Sequence, residues 1–235
     1  MAYGTDPDHV GDLRIPQGAG PHRVAVLIHG GFWRDHWTRD LMDGAAADLV
    51  SHGFATWNIE YRRVGNGGGW PATLEDVGHA IDHLSEIAPQ HDLDLDDVTV
   101  IGHSAGGHLA HWAAGRQSLP EGAPGSSPRV VSSRTIGLAP VFDLAAAHER
   151  NLGDGAVESF LRRGPGDQRY SLASPHHLQP LAGEQHIVHG SGDEAVPIEL
   201  SLDSGIPVVV LEGVDHFALI DPSHQAWAAV VDLLD

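Results

Sequence analysis

Short apolar runs alternate with stretches of helical spacing along the whole chain, and this alternation limits the possible folds more than any other feature. Residues 24–28 ("VAVLI") form a continuous apolar run that is typical of a strand buried on both faces. Similar runs occur at 54–62, 98–101, 135–141, 185–189 and 208–211, and apolar residues at helical spacing separate most of them. The pattern predicts one α/β domain, residues 1–235, with a mainly parallel twisted sheet and helices on both faces.

One segment interrupts this rhythm. Between about residues 142 and 180 the helical pattern is broken into short pieces by Gly164, Pro165, Gly166 and Pro175. We expect this segment to be a small insertion, or lid, over the carboxyl ends of the strands, where parallel sheets bind their ligands.

Charge and composition exclude several classes of function. The 235-residue chain has a net charge of −19, so binding to nucleic acid or to an anionic membrane surface is not expected. It contains no lysine and no cysteine, which excludes Schiff-base lysines, disulfides and thiolate metal sites. The polar N-terminus shows no signal peptide and no apolar run could cross a bilayer, so we expect a cytoplasmic protein.

The sequence "GHSAG" at 102–106 matches the G-x-S-x-G pattern of a nucleophile at a strand-to-helix turn. An apolar run, "VTVI", comes directly before it and a helical stretch directly after it. In such a turn the residues two before and two after the serine approach neighbouring backbone, which favours glycine at both positions. The sequence therefore predicts that Ser104 is a nucleophile.

A serine hydroxyl needs a base to remove its proton and a carboxylate to orient that base. His216 lies in a short loop after the last apolar run, and Asp193 lies just past the run before it. Ser104, Asp193 and His216 then occur in the chain order that this turn requires. Glu194 and Asp215 are alternative acids.

The segment "HGGFW" that follows the first long apolar run predicts a site for negative charge. Its glycines allow backbone N–H groups to approach an oxyanion closely. We expect the N–H groups of Gly31, Phe32 and Ala105 to bind that charge, and His29 to hold the loop. Candidates for the walls of the substrate pocket are Trp33, Trp37, Trp70, His103 and Phe142.

No metal or cofactor is expected. His108 and His111 are three residues apart, but no HExxH motif or second set of acidic ligands accompanies them. The expected partner is a small-molecule ester or amide. The oligomeric state is left open, with a homodimer as one option.

Together the segments "LIHGGFW", "WPATLEDVGHAIDHL", "GHSAGGHLA", "ASPHHL", "HGSGDEAVP" and "DHF" resemble the α/β-hydrolase superfamily. More narrowly, the chain resembles the esterase/arylformamidase branch, which is kynurenine formamidase-like and carries HGGxW. The resemblance implies an α/β-hydrolase fold and a metal-free serine hydrolase that cleaves small carboxylic esters or N-formyl aryl amides through a covalent acyl-enzyme on Ser104. It also implies that Asp193 is the acid and His216 the base.

Two other functions are compatible with this scaffold, because function depends on the site rather than on the fold. The first is an acyl transferase or a lyase. The second is a binding protein that keeps the fold but catalyses no reaction.

Overall fold

A seven-stranded sheet forms the centre of the computed structural model, which describes residues 1–234. The strand order is β1-β3-β2-β4-β5-β6-β7. Strand β1 is antiparallel to β3, and every other neighbouring pair is parallel. The strands are β1 (Gly11–Arg14), β2 (His22–Ile28), β3 (Ala55–Ile59), β4 (Leu93–His103), β5 (Arg134–Leu138), β6 (Glu184–Gly190) and β7 (Val208–Leu211).

Both faces of this sheet are covered by helices, which explains the continuous apolar runs. In β2, Val24 and Val26 pack in one core cluster with residues of α2, α3 and α4, whereas Ala25 and Leu27 pack in a second with residues of α1. Because successive side chains of a strand point to opposite faces, a strand between two helical layers must be apolar throughout. The helices are α1 (Asp43–Ser51), α2 (Ala72–Asp82), α3 (Leu84–His91), α4 (Ala105–Ala114), α5 (Leu144–Glu149), α6 (Ala156–Leu161), α7 (Gln168–Ala173), α8 (Pro175–Leu178), α9 (Glu199–Leu202) and α10 (Ala228–Val231).

The segment that interrupts the sequence pattern folds into the four short helices α5 to α8. It is packed into the core, since Phe160 stacks on Trp33 with 4.7 Å between ring centroids. The ring Nε2–H of His108 also donates to the carbonyl of Ala173 over 2.9 Å. The segment therefore packs against the loop after β2 and against α4, at the carboxyl ends of the strands.

The sequence patterns differ from the structure at three places. Strand β1 has no counterpart among the predicted strands. The helical spacing of Leu74, Val77, Ile81 and Leu84 predicts one helix that ends before Pro89, but the structure has two helices, α2 and α3, and Pro89 lies inside the second. Apolar residues at helical spacing over 226–234 predict a last helix, but the structure has only a short 3₁₀ turn and α10 in this stretch. None of the described helices is long and apolar enough to cross a membrane.

Candidate active site

Ser104 stands alone between the end of β4 and the start of α4, in a backbone conformation that L-residues rarely adopt. Its φ is 57° and its ψ is −121°. A Cβ on Gly102 would lie 2.0 Å from the carbonyl oxygen of Gly106, and a Cβ on Gly106 would lie 2.1 Å from that of Ile28. The turn is therefore closed by backbone against backbone, and glycine is required on both sides of the serine.

We expect Gly106→Ala to destabilise the fold by about 3 kcal/mol, because the new methyl group meets rigid backbone instead of a flexible side chain. Urea unfolding measures this change. Gly164→Ala is the matched control, since Gly164 has an ordinary φ and a methyl group added there would meet no atom within 4 Å. A Gly106→Ala protein as stable as the Gly164→Ala protein would show that the turn relaxes freely.

The acid and base predicted from the sequence are in contact. Nδ1 of His216 lies 2.5 Å from Oδ2 of Asp193. The other carboxylate oxygen accepts the N–H groups of Ala195 and Val196, each over 2.8 Å. A carboxylate only accepts, so Nδ1 of His216 carries a proton, and in the neutral ring Nε2 keeps its lone pair.

The two alternative acids do not contact the His216 ring. Oδ1 of Asp215 accepts the N–H groups of Phe217 and Ala218, over 2.9 and 3.0 Å, and so caps the turn after His216. Glu194 is exposed, whereas the side chain of Asp193 is fully buried. Of the three candidate acids, Asp193 is thus the one that contacts the His216 ring.

Asp193 is held in its charged form by its surroundings. Burial alone would raise the pKa of its carboxyl group, but hydrogen bonds from His189 and His216, the charge of His216 and the N–H of Val196 hold that pKa well below its usual range. The group therefore stays a carboxylate throughout the neutral pH range.

Ser104 and His216 line one cavity of about 200 Å³. The Ser104 hydroxyl makes no hydrogen bond to the His216 ring among the described residues, and such bonds often tighten only when substrate binds. The cavity is lined by Gly31, Phe32, Trp37, Leu41, His103, Ser104, Ala195, His216 and Phe217.

The three predicted oxyanion donors lie next to this serine. Gly31 and Phe32 both line the cavity, and both have positive φ values, of 112° and 52°. Ala105 is the first residue of α4. Within residues 1–234, no protein acceptor takes a hydrogen bond from the N–H of any of the three, so the three N–H groups are available to a ligand.

A buried group of side chains after β3 holds the loop of residues 29–33. The two ring nitrogens of His29 contact oxygens on either side: Nδ1 lies 2.8 Å from the carbonyl oxygen of Gly30, and Nε2 lies 2.8 Å from the carboxylate of Glu60. The Tyr61 hydroxyl donates to the carbonyl of His29 over 2.8 Å. Arg63 bonds both Glu60, at 2.9 Å, and the carbonyl of Trp37, at 2.7 Å. Glu60, Tyr61 and Arg63 together therefore hold this loop in place.

We expect Glu60→Gln to lower the free energy of unfolding by about 3 kcal/mol at pH 7. The change removes the more deeply buried of the two carboxylates that pair with Arg63 and leaves only the partly exposed Asp8, at 3.2 Å. Burial tends to raise the pKa of Glu60, yet His29, the N–H of Arg39 and Arg63 together lower it. The stability that the Glu60 carboxylate contributes is therefore fully present above the pKa that this group has in the unfolded chain. It is lost as the pH falls through the lower pKa that the group has in the folded protein. Thermal unfolding from pH 7 to pH 3 measures it: the difference between wild type and Glu60→Gln should shrink with acid. A constant difference would contradict the assignment.

Only two of the five predicted wall residues lie at the cavity. Trp37, 44% exposed, and His103 line it. Trp33 does not: it is fully buried and its Nε1–H donates to Nδ1 of His108 over 3.2 Å. Trp70 packs at the core next to Arg169, and Phe142 is buried against His111.

Three wall residues are absent from the sequence-based prediction: Leu41, Ala195 and Phe217. Phe217 has a signal in the sequence, since an aromatic residue follows the predicted base directly, and its side chain is 48% exposed. Its ring centroid lies 5.8 Å from that of Trp37, so the two rings pack against each other, and both line the cavity. Leu41 and Ala195 have no distinguishing sequence context.

His103 bonds to the backbone of His216. Its Nε2–H donates to the carbonyl of His216 over 3.0 Å. Burial, together with the charge of His216, lowers the pKa of His103 to about 3, so the ring stays neutral. Burial likewise lowers the pKa of His108 and of His111 to about 4. In the described part of the chain, no group of three or more His, Cys, Asp or Glu side chains is arranged to hold a metal ion.

The sheet order, the strained serine turn and the covering helices define the α/β-hydrolase fold. Esterase B from Lactobacillus rhamnosis, solved with a tributyrin phosphonate inhibitor, superposes with a TM-score of 0.83 at 20% identity, over 100% of this chain and 82% of that one. At this identity the likeness concerns the fold alone, and it confirms the predicted fold class.

A family model described as BD-FAE matches residues 12–204, and the chain belongs to that family. Two curated relatives come from Mycobacterium tuberculosis (strain ATCC 25618 / H37Rv). Esterase LipQ is 31% identical over 78% of this chain and 45% of its own length. Esterase LipC is 31% identical over 85% of this chain and 52% of its own length. The chain thus spans about half the length of these relatives.

Proposed function

We propose that this chain is a serine hydrolase that cleaves small carboxylic esters or N-formyl aryl amides through a covalent acyl-enzyme on Ser104. The observation that carries the proposal is one cavity that holds a strained serine and a histidine bonded to a buried carboxylate. The names of the relatives, which are esterases, support the ester branch of the proposal.

The first half of the reaction forms the acyl-enzyme. Nε2 of His216 takes the proton of the Ser104 hydroxyl while its oxygen attacks the substrate carbonyl carbon. Negative charge on the former carbonyl oxygen is bound by the N–H groups of Gly31, Phe32 and Ala105. His216, now an imidazolium beside Asp193, gives its proton to the leaving alcohol or amine.

The second half releases the acid. Water enters, His216 takes one of its protons, and the hydroxide attacks the acyl carbon. The same three N–H groups bind the charge again, and the proton on His216 returns to Ser104. Asp193 stays ionised throughout, because its lowered pKa prevents it from taking the proton.

The size and lining of the cavity suit a substrate with a small acyl or aryl group. Its volume is about 200 Å³ and its wall is mainly apolar, with the rings of Trp37 and Phe217 on its rim. A flat aromatic ring can pack against such aromatic side chains, and this is compatible with the N-formyl aryl amide as the second candidate substrate.

The proposal is tested by labelling the protein with a fluorophosphonate and locating the adduct by mass spectrometry of peptides. We expect a single adduct on Ser104 in folded protein and none after heat denaturation. Folded protein without an adduct would favour the binding-protein alternative.

A kinetic screen separates the two substrate classes. p-Nitrophenyl esters of increasing chain length are compared with N-formylkynurenine on the same preparation. We expect the highest kcat/KM on short acyl esters or on the formamide, and mass spectrometry should show the free acid as product. Transfer of the acyl group to an added alcohol in preference to water would instead indicate an acyl transferase.

A further inference from the structure

A second buried histidine contacts the carboxylate that holds His216. His189 lies next to the last residue of β6, and its side chain is fully buried. Its Nε2 is 3.3 Å from Oδ2 of Asp193, the same oxygen that bonds His216, and 3.0 Å from the carbonyl oxygen of Val196. The Asp193 oxygen is thus shared by two imidazoles.

The neighbours of His189 fix which ring nitrogen carries the proton. Both groups near Nε2 are acceptors, so Nε2 carries the proton. It donates to the carbonyl of Val196, and the charged Asp193 oxygen lies close to the same N–H group. The other nitrogen, Nδ1, lies 2.7 Å from the hydroxyl of Ser201, in α9, which is also fully buried. The Ser201 hydroxyl has no other hydrogen bond among the described residues, so it donates to Nδ1 and keeps the proton on Nε2.

We propose that His189, oriented by Ser201, is a positioning residue that fixes the Asp193 carboxylate for its work on His216. This inference rests on the proposed function. A chain of polar contacts runs from Ser201 through His189 and Asp193 to His216, and it extends the predicted catalytic group by two buried side chains.

The physical role follows from what Asp193 must do in the reaction. When His216 becomes an imidazolium, the carboxylate has to be charged and immobile. The N–H groups of Ala195 and Val196 hold one oxygen, and His189 restrains the other, so rotation of the carboxylate breaks bonds at both ends. Burial tends to raise the pKa of the Asp193 carboxyl group, and the contact with His189 lowers it, so this contact favours the charged form.

Three variants and one control test the inference. His189→Leu removes the donor, His189→Gln places an amide donor near the former Nε2, and Ser201→Ala frees the ring to change tautomer. The control is His111→Leu, which removes another fully buried histidine, one that bonds Gln185 and contacts neither the acid nor the base. Each protein is measured for kcat, KM and thermal unfolding, and the downfield proton resonance of the His216 Nδ1–H is recorded.

For His189→Leu we expect kcat to fall roughly 10- to 100-fold with KM within about twofold, because the interaction acts on the transition state. His189→Gln should recover most of this loss. Ser201→Ala should lower kcat by about three- to tenfold and shift the His216 Nδ1–H resonance. His111→Leu should leave kcat and the resonance unchanged.

Several results would overturn the inference. One is a His189→Leu enzyme with wild-type kcat. Another, which applies even where His189→Leu fails to fold, is an unchanged His216 resonance and kcat in Ser201→Ala. A failure of the proposed function is distinguishable, because it removes fluorophosphonate labelling of wild-type Ser104, whereas a failure of this inference leaves that labelling intact.

Discussion

Replacing Ser104 with alanine should lower kcat for p-nitrophenyl acetate by roughly 10⁴-fold or more, because no group remains that can form the acyl bond. The backbone turn is kept, so thermal unfolding should occur near the wild-type temperature. KM should change little, since the cavity wall loses one oxygen atom only. Initial rates over a range of substrate concentrations give both constants.

Ser171→Ala is the control for this variant. Ser171 is exposed, and its hydroxyl bonds only the carbonyl of Gln168, at 2.8 Å. Its kcat should match wild type. More than about a hundredth of wild-type activity in pure Ser104→Ala protein would remove Ser104 from the mechanism.

Asp193→Asn should lower kcat by a similar factor, roughly 10⁴-fold, although the asparagine side chain has nearly the same size and shape. The two backbone N–H groups at Asp193 require an acceptor, so the amide oxygen of asparagine takes that place. The amide NH₂ then faces Nδ1 of His216 as a donor. The ring must present a lone pair there and carry its proton on Nε2, so it cannot take the proton of Ser104.

The matched control is Glu194→Gln, which neutralises the adjacent exposed carboxylate and should leave kcat within about twofold. The pH profile of kcat adds a second readout. Asp193→Asn should be equally impaired from pH 6 to pH 9, because the fault is the tautomer and not a shifted titration. Full recovery at high pH would contradict this explanation.

The sequence was sufficient to predict the sheet and the helix that follows the serine. Continuous apolar runs need helices on both sides, and parallel strands bring their carboxyl ends to one edge, so three residues far apart in the chain could be placed together. Helix α4, Ala105–Ala114, lies directly after Ser104 as predicted. Strand β1 could not be found, since "GDLR" is short, lies at the sheet edge and has little apolar alternation.

The side-chain environment of the site was less predictable. Gly31, Phe32 and Trp33 all have positive φ, and this turn sends the Trp33 ring into the core while Phe32 stays at the cavity. The local sequence "HGGFW" cannot give that direction, because it depends on Phe160 being available for stacking. His189 likewise has no signal of its own, since its role depends on Ser201, twelve residues along the chain.

The close approach of Gly106 to the carbonyls of Ile28 and His29 has a consequence for protein engineering. The turn that carries Ser104 is main chain packed against main chain, so its shape cannot be changed residue by residue without loosening the turn. Altered selectivity is better sought at Leu41, Ala195 and Phe217, which contribute ordinary side chains to the cavity wall. A library restricted to those three positions should yield folded enzymes with new acyl preferences, whereas one that includes the glycine loop should yield mostly inactive protein.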